Sequence, residues 1–431
     1  MSTLSPVDAE VRRFLTRNFT VGVLDGGFFF LGLSFASVVT VLPLFVSQLT
    51  SSPYLIGLIP AIQTMGWLLP QLLTAPLVER LPRKKPFVLL MTLNERWPFI
   101  GMALVALFLH QLGPGLALGL FFTLHILRSF GAGLTATAWQ DMVGKVIPAH
   151  RRGLFFGLQS GVGGLLGAGG AIVAGLILQQ QPFALNFAIC FGITAVCVAF
   201  SMLFLGLTHE PAQAVNPSKV TGRDFWTRLP RILGQNRGFR NFIVYRILYI
   251  LGTTGFGFYT VYVVETFGLN SAQAGELTFA MMIAQTLTYP LVGWIGDRVG
   301  HRRVMELAAG SSAVMAALSA FAPNGGWFVG VYVLLGISMA AATISNLSGI
   351  YDFAPVEERA TYIGLMATLV GVGSTLAPLF GGAVASTTSY PVLFRLTIVF
   401  AIAAWATVRF GIGDPRHEPV ATATIPEGIE S

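Results

Sequence analysis

Apolar stretches about 20 residues long, the length of helix that crosses a bilayer core, alternate with short polar turns along this chain. They fall at residues 19–49, 54–77, 87–109, 116–143, 154–178 and 183–207. After a polar stretch at 208–241 they resume at 242–264, 275–295, 304–321, 327–350, 362–385 and 392–411. Such runs are too long for the core helices of a soluble domain, so the pattern predicts an all-α polytopic membrane protein with twelve spans. The first run is too long for a signal-peptide core and lacks a small-residue cleavage pattern, so it reads as the first span. The tail from Asp414 is short, and disorder is expected there.

The pattern also repeats. Residues 293–303, GWIGDRVGHRR, form a charged turn between two apolar segments, and residues 75–85, APLVERLPRKK, set acid and bases in the same order in the first half. Pro148, Arg152 and Gly157 return 207 positions later as Pro355, Arg359 and Gly364. Glycine-rich helices follow each set: Gly161, Gly163, Gly164, Gly167, Gly169 and Gly170 in the fifth span, Gly371, Gly373, Gly381 and Gly382 in the eleventh. Two six-helix halves, 1–207 and 242–431, joined by a basic linker at 208–241, account for this. The glycines let helices approach closely; a rocking motion would slide on the same faces.

Composition agrees. Hydrophobic residues make up 54% of the chain and charged residues 10%, against about 25% charged in soluble domains. Of the 26 lysines and arginines, all but Arg96, Arg128, Arg246 and Arg395 lie in one alternate set of loops and termini or, like Arg409, at a span end beside it. That set is cytoplasmic, which places both termini inside. The net charge of +7 is thereby a topological signal, with anionic lipid headgroups rather than nucleic acid as counter-charge. Cys190 and Cys197 sit two turns apart in one span, where an intrahelical disulfide is excluded.

With these residues in view, the chain resembles the major facilitator superfamily over essentially its whole length. The family's turn after its second span, Gly-x-Leu-Ala-Asp-Arg-x-Gly-Arg-Lys, is matched by Gly293, Asp297, Arg298, Gly300 and Arg302, with Ile295 in place of leucine. In the first half Leu77, Glu79, Arg80, Arg83 and Lys84 match, while Ala75 and Pro82 replace the two glycines. The resemblance implies that Glu79 and Asp297 help hold a cytoplasmic gate closed. For Arg83, Lys84, Arg302 and Arg303, topological retention and lipid contact is the simpler role. A fourth-span arginine motif is approximated by Arg128, Gly131 and Gly133, one residue short. The fifth-span antiporter motif Gly-Pro-x-x-Gly-Gly is absent, with Gly170 and Ala171 where Gly-Pro should stand. A similar run, Ala377, Pro378, Gly381 and Gly382, occurs in the eleventh span instead. The family also implies a monomer.

A charge near the bilayer centre costs about 2.5–3.5 kcal/mol on insertion scales, so each one is a candidate functional group. At ~1.5 Å per residue, Asp25, Glu95, Arg96 and Arg246 fall in the cytoplasmic half of the membrane and Arg128 near its middle, with His125 one turn away. Glu95 and Arg96 point about 100° apart and need separate partners; Asp25 with Arg246 is the expected pair, since their spans are equivalent in the two halves. A carboxylate that gains and loses an arginine partner gains and loses a proton, so Asp25, Glu95, Arg128 and His125 are the candidates for proton coupling. Static ion pairs and a packing histidine are the alternatives, and Arg246 and Arg395 are near enough to span ends to snorkel. Phe29, Phe258 and Tyr262, with the mid-span amides Gln63, Gln159, Gln285 and Asn346, are candidates for a substrate cavity; core packing explains the same residues.

No phosphate-binding loop, metal-spaced His/Cys cluster or nucleophile elbow is present, so neither enzyme chemistry nor a cofactor is expected. The expectation is a multi-pass transporter of the cell (plasma or inner) membrane. It would export small hydrophobic or amphipathic compounds against protons, as an antiporter working by alternating access. An uptake permease of the same fold and a non-transporting receptor on a transporter scaffold are the competing readings.

Overall fold

The computed structural model describes residues 6–50, 52–213, 222–269 and 271–413. The tail from Asp414 and the middle of the linker lie outside them. Among the described residues the chain is helical, with no strand. The N-terminal half contains α1 (Pro6–Phe35), α2 (Val41–Leu49), α3 (Pro53–Glu79), α4 (Lys85–Arg96), α5 (Pro98–Leu107), α6 (Leu109–Val146), α7 (Ala149–Gln180) and α8 (Leu185–Gly206). A linker helix, α9 (Gly222–Gln235), follows. The C-terminal half contains α10 (Arg237–Thr253), α11 (Phe256–Phe267), α12 (Ser271–Val299), α13 (His301–Ala320), α14 (Trp327–Gly349), α15 (Arg359–Thr387) and α16 (Tyr390–Gly411).

Twelve spans result because three are broken in two, and the sequence explains two of the breaks. Pro43 lacks an N–H and crowds the carbonyl four residues back, and the β-branched run Val38-Val39-Thr40 precedes it, so α1 and α2 are separate helices of the first span. Pro98 divides α4 from α5 in the third span. The seventh span divides between α10 and α11. At Gly113 the backbone turns to φ 71°, a conformation open to glycine, and this corner ends the third span and starts the fourth within α6.

Proline also shapes the packing. Pro70 leaves the Gly66 carbonyl without its helical donor, and Gly133 of α6 lies directly against that oxygen, where any side chain would collide. Between the halves, α7 packs on α12, and α15 packs on α3. A Cβ on Gly157 would lie 2.6 Å from the Tyr289 carbonyl oxygen, and one on Gly364 would lie 2.8 Å from Leu72 Cα. Nothing lies within 4 Å of the Cβ position of Gly175, about five turns farther along the same face of α7. The halves therefore meet at their cytoplasmic ends and part toward the outside.

Candidate functional site

A cavity of about 410 Å³ lies between the halves. Its walls come mainly from α1, α4, α6 and α7, with α12 and α14 contributing Gln285, Thr286, Tyr289, Thr343 and Leu347. Phe29, Phe30, Trp67 and Trp139 give it aromatic surface, and Asp25, Glu95 and Arg96 stand on one side.

That charged side is a network. Asp25 is 5% exposed. Its Oδ1 accepts a 2.5 Å hydrogen bond from Ser201 of α8 and lies 3.7 Å from Arg96 Nη2. The same Nη2 donates to Ser201 Oγ at 2.9 Å, and Arg96 Nε donates to the Val198 carbonyl at 3.0 Å. The Arg96 guanidinium also lies 5.6 Å from the centre of the Phe29 ring. Glu95 reaches Arg96 only at 3.9 Å and accepts a 3.4 Å bond from Thr92. The pair expected between Asp25 and Arg246 does not form. Asp25 faces α4 and α8 inside its own half, while Arg246 donates to the Ala342 carbonyl of α14 at 3.2 Å. Equivalent positions in a repeat need not face each other.

The remaining candidates separate into those at the cavity and those elsewhere. Gln159 lines it and donates to the Gly22 carbonyl at 2.7 Å, and Gln285 donates to the Tyr289 hydroxyl at 2.9 Å. Arg128 is buried behind the wall, bonded to Gln63 Oε1 and 5.0 Å from the Phe99 ring centre. His125 is fully buried beside it, with Nε2 2.9 Å from the Ile59 carbonyl and the ring stacked on Phe121. Neither reaches the cavity. Phe258 and Tyr262 pack instead in a cluster of the C-terminal half with Tyr390 and Phe394. Asn346 is not among the lining residues, and its Oδ1 is buried without a hydrogen-bond partner.

Below the cavity the two halves are tied together. Asp297, at the end of α12, accepts 2.7 Å bonds from the backbone N–H groups of Gly153 and Leu154 on α7. Glu79, at the end of α3, accepts from the Thr361 N–H of α15 at 3.1 Å and from its hydroxyl. Each acid thus bonds the start of a helix in the other half. Burial pushes both carboxyls above their ordinary range, outweighing the opposing effect of these hydrogen bonds. Arg228 of α9 lies 3.9 Å from Glu79 and 3.1 Å from Glu358, bringing the linker into the seal. Arg359 of α15 and Lys84 converge on Asp141 of α6 at 3.4 and 3.5 Å; Lys84 is thus buried in an ion pair rather than turned to lipid headgroups as expected. The other motif residues point outward: Arg80 and Arg83 are exposed, Arg298 stacks on Trp294, and Arg302 pairs with Glu306 at 3.4 Å. Gly300 takes φ 102° to start α13.

Tyr351, which no motif marks, sits at the centre of this seal. Its ring lies 4.7 Å from the Arg152 guanidinium and 5.4 Å from that of Arg359. Its hydroxyl donates a 2.7 Å bond to the carbonyl of Gln140, a residue that lines the cavity.

A sequence profile of the Major Facilitator Superfamily matches residues 24–261 and again 242–429. The chain belongs to the major facilitator superfamily. Its relatives include the Mycobacterium tuberculosis protein Rv2209, 24% identical over 418 residues, 90% of this chain and 76% of that one. Shorter matches link it to the MFS-type transporter gkaD of Penicillium citrinum, 30% identical over 116 residues, 27% of this chain and 20% of that one. The multidrug efflux pump LfrA of Mycolicibacterium smegmatis is 36% identical over 106 residues, 24% and 21% of the two chains. The chain therefore spans only about a fifth of the length of these last two relatives. In structure it resembles the superfamily transporter FucP in its outward conformation, with TM-score 0.73 and 17% identity over 91% of this chain and 99% of that one. This superfamily member is a membrane-spanning transporter of two six-helix halves.

Proposed function

We propose that this transporter exports small hydrophobic or amphipathic organic compounds across the cell membrane in exchange for protons. The observation that carries the reading is the composition of the cavity: aromatic surface from Phe29, Trp67 and Trp139 beside the Asp25–Arg96–Ser201 network. The aromatic rings offer a nonpolar compound a dry surface. A proton on Asp25 would release Arg96 and Ser201 from it and change the charge of the cavity wall by one. Cargo and proton then compete for the same wall, as an exchanger requires. The efflux pump among the relatives supports export.

Alternating access needs the cytoplasmic seal to open. The bonds from α7 N–H groups to Asp297 of α12 and from α15 to Glu79 of α3 are among those that must break, because each spans the two halves. Uptake by the same fold is the second reading, favoured by the missing Gly-Pro at Gly170 and Ala171.

The test uses protein reconstituted in vesicles with an imposed pH gradient and a compound panel. Wild-type protein moves compound in step with the gradient, and Asp25→Asn does not respond to it. Full gradient-driven transport by Asp25→Asn removes Asp25 from the mechanism, and movement along the proton flow establishes uptake.

A further inference from the structure

The buried charges of the N-terminal half balance, Asp25, Glu95 and Asp141 against Lys84, Arg96 and Arg128. Arg246 in the C-terminal half has no such counterpart: among the described residues no carboxylate lies within ion-pair distance of it. It does not snorkel to the headgroups either. Its Nη1 is turned inward to the Ala342 carbonyl, and its Nε is buried without a hydrogen-bond partner. A guanidinium within the membrane is costly, and one held by a backbone carbonyl with no carboxylate beside it is a candidate for a substrate pathway.

Its setting says from which side a partner arrives. Along one face of α10, Phe239 is 0% and Ile243 5% exposed, whereas Arg246, Ile250 and Thr253 beyond them are half-buried. That face is sealed toward the cytoplasm and opens outward, as the gap between the halves does. Ala342, which holds the guanidinium, is followed directly by the cavity-lining Thr343. One turn farther along α14 is Asn346 with its unpartnered buried Oδ1. Arg246 itself lies behind the lining residues; across the cavity Asp25 is already engaged by Ser201 and Arg96, so the unpaired charge that borders the cavity is positive.

We propose that Arg246 receives an anionic group of the transported compound, so that the cargo is an amphipathic organic monoanion. Its carboxylate or sulfonate would sit on the planar guanidinium, which binds such groups through two parallel hydrogen bonds. Its aromatic or alkyl body would occupy the aromatic part of the cavity. This assignment rests on reading the cavity as the transport site.

Three compounds with one ring system and different charge test it: naphthoate, naphthamide and naphthylmethylammonium, bound to the full-length protein in detergent by equilibrium dialysis. Naphthoate should bind at least about tenfold more tightly than naphthamide, the value of one charge-assisted hydrogen bond. Arg246→Gln should abolish that preference, with an unchanged circular-dichroism spectrum and melting temperature showing that the variant is folded. Arg246→Lys should restore part of it. Equal binding of naphthoate and naphthamide, or a preference that survives Arg246→Gln, overturns the assignment. Tighter binding of the ammonium compound overturns it and leaves the transport reading standing. Saturable binding of none of the three overturns both.

Discussion

Replacing Tyr351 should loosen the cytoplasmic seal in graded steps. Two polar interactions cross from this residue to the other half, the 2.7 Å hydrogen bond to the Gln140 carbonyl and the ring contact with Arg152 at 4.7 Å. Beside them is a looser stack of its ring on Phe156 at 6.5 Å, which the ring of a Phe variant keeps. The contact with Arg359 stays within the C-terminal half and is not broken by opening. A hydrogen bond of this kind contributes about 1 kcal/mol net. A cation–π contact contributes about 0.5–2 kcal/mol, with the upper part of the range applying to desolvated sites; Tyr351 is 7% exposed. Tyr351→Phe removes only the first and should shift the balance between closed and open cytoplasmic faces about fivefold. Tyr351→Leu removes both, about 1.5–3 kcal/mol, a shift of roughly 10- to 150-fold. A face closed about 99% of the time would be closed about half the time after a hundredfold shift.

The measurement is a distance distribution between spin labels at Ala149 and Val299, exposed positions at the cytoplasmic ends of α7 and α12. The two native cysteines, both buried, are replaced by alanine. The long-distance population should rise from wild type to Tyr351→Phe to Tyr351→Leu. If the Leu variant matches wild type, Tyr351 does not hold the face shut. If the Phe variant already matches the Leu variant, the hydroxyl acts alone and the arginine contact contributes nothing.

Acidification should favour the closed face. Burial raises the Glu79 and Asp297 carboxyls above their ordinary values of 4.5 and 3.8 in the sealed state, so that state binds protons more tightly than one in which both acids face water. The added stability is present below the ordinary carboxylate values and is lost as pH rises through the raised ones. The spin-label pair should therefore report more closed protein as pH falls from neutrality into the carboxylate range. The double variant Glu79→Gln with Asp297→Asn should be flat, and an unchanged pH response in it would exclude these acids. Gly157→Ala acts through sterics: its Cβ would lie 2.6 Å from the Tyr289 carbonyl, a backbone atom that cannot rotate away. The same label pair should show α7 and α12 spread apart at every pH, and an unaltered distance would show that the interface tolerates a methyl group there.

The twelve spans were legible because length and hydrophobicity are local properties, and even two of the breaks are written in Pro43 and Pro98. The acids at the gate were legible as a motif, but what they bind was not. Asp297 and Glu79 bond backbone N–H groups of helices 143 and 282 positions away in the chain, a register set by how glycine faces nest. Glu95 and Arg96 mark the same limit. Adjacency on a helix shows that they diverge, but only packing decides that Arg96 turns to Asp25 and Ser201. Tyr351 is the instructive case. A repeat related by a two-fold axis sends its paired residues toward that axis from both sides, and Arg152 and Arg359 arrive there together. Two cations cannot occupy the axis, so it must be filled by a group that attracts both and repels neither. That group has no equal in the other half: Gly144, 207 positions before Tyr351, is the glycine whose Cβ would strike the tyrosine ring at 2.5 Å. The repeat therefore locates its own exception. Where two repeated charges of one sign converge, the residue to seek is the one the repeat does not copy.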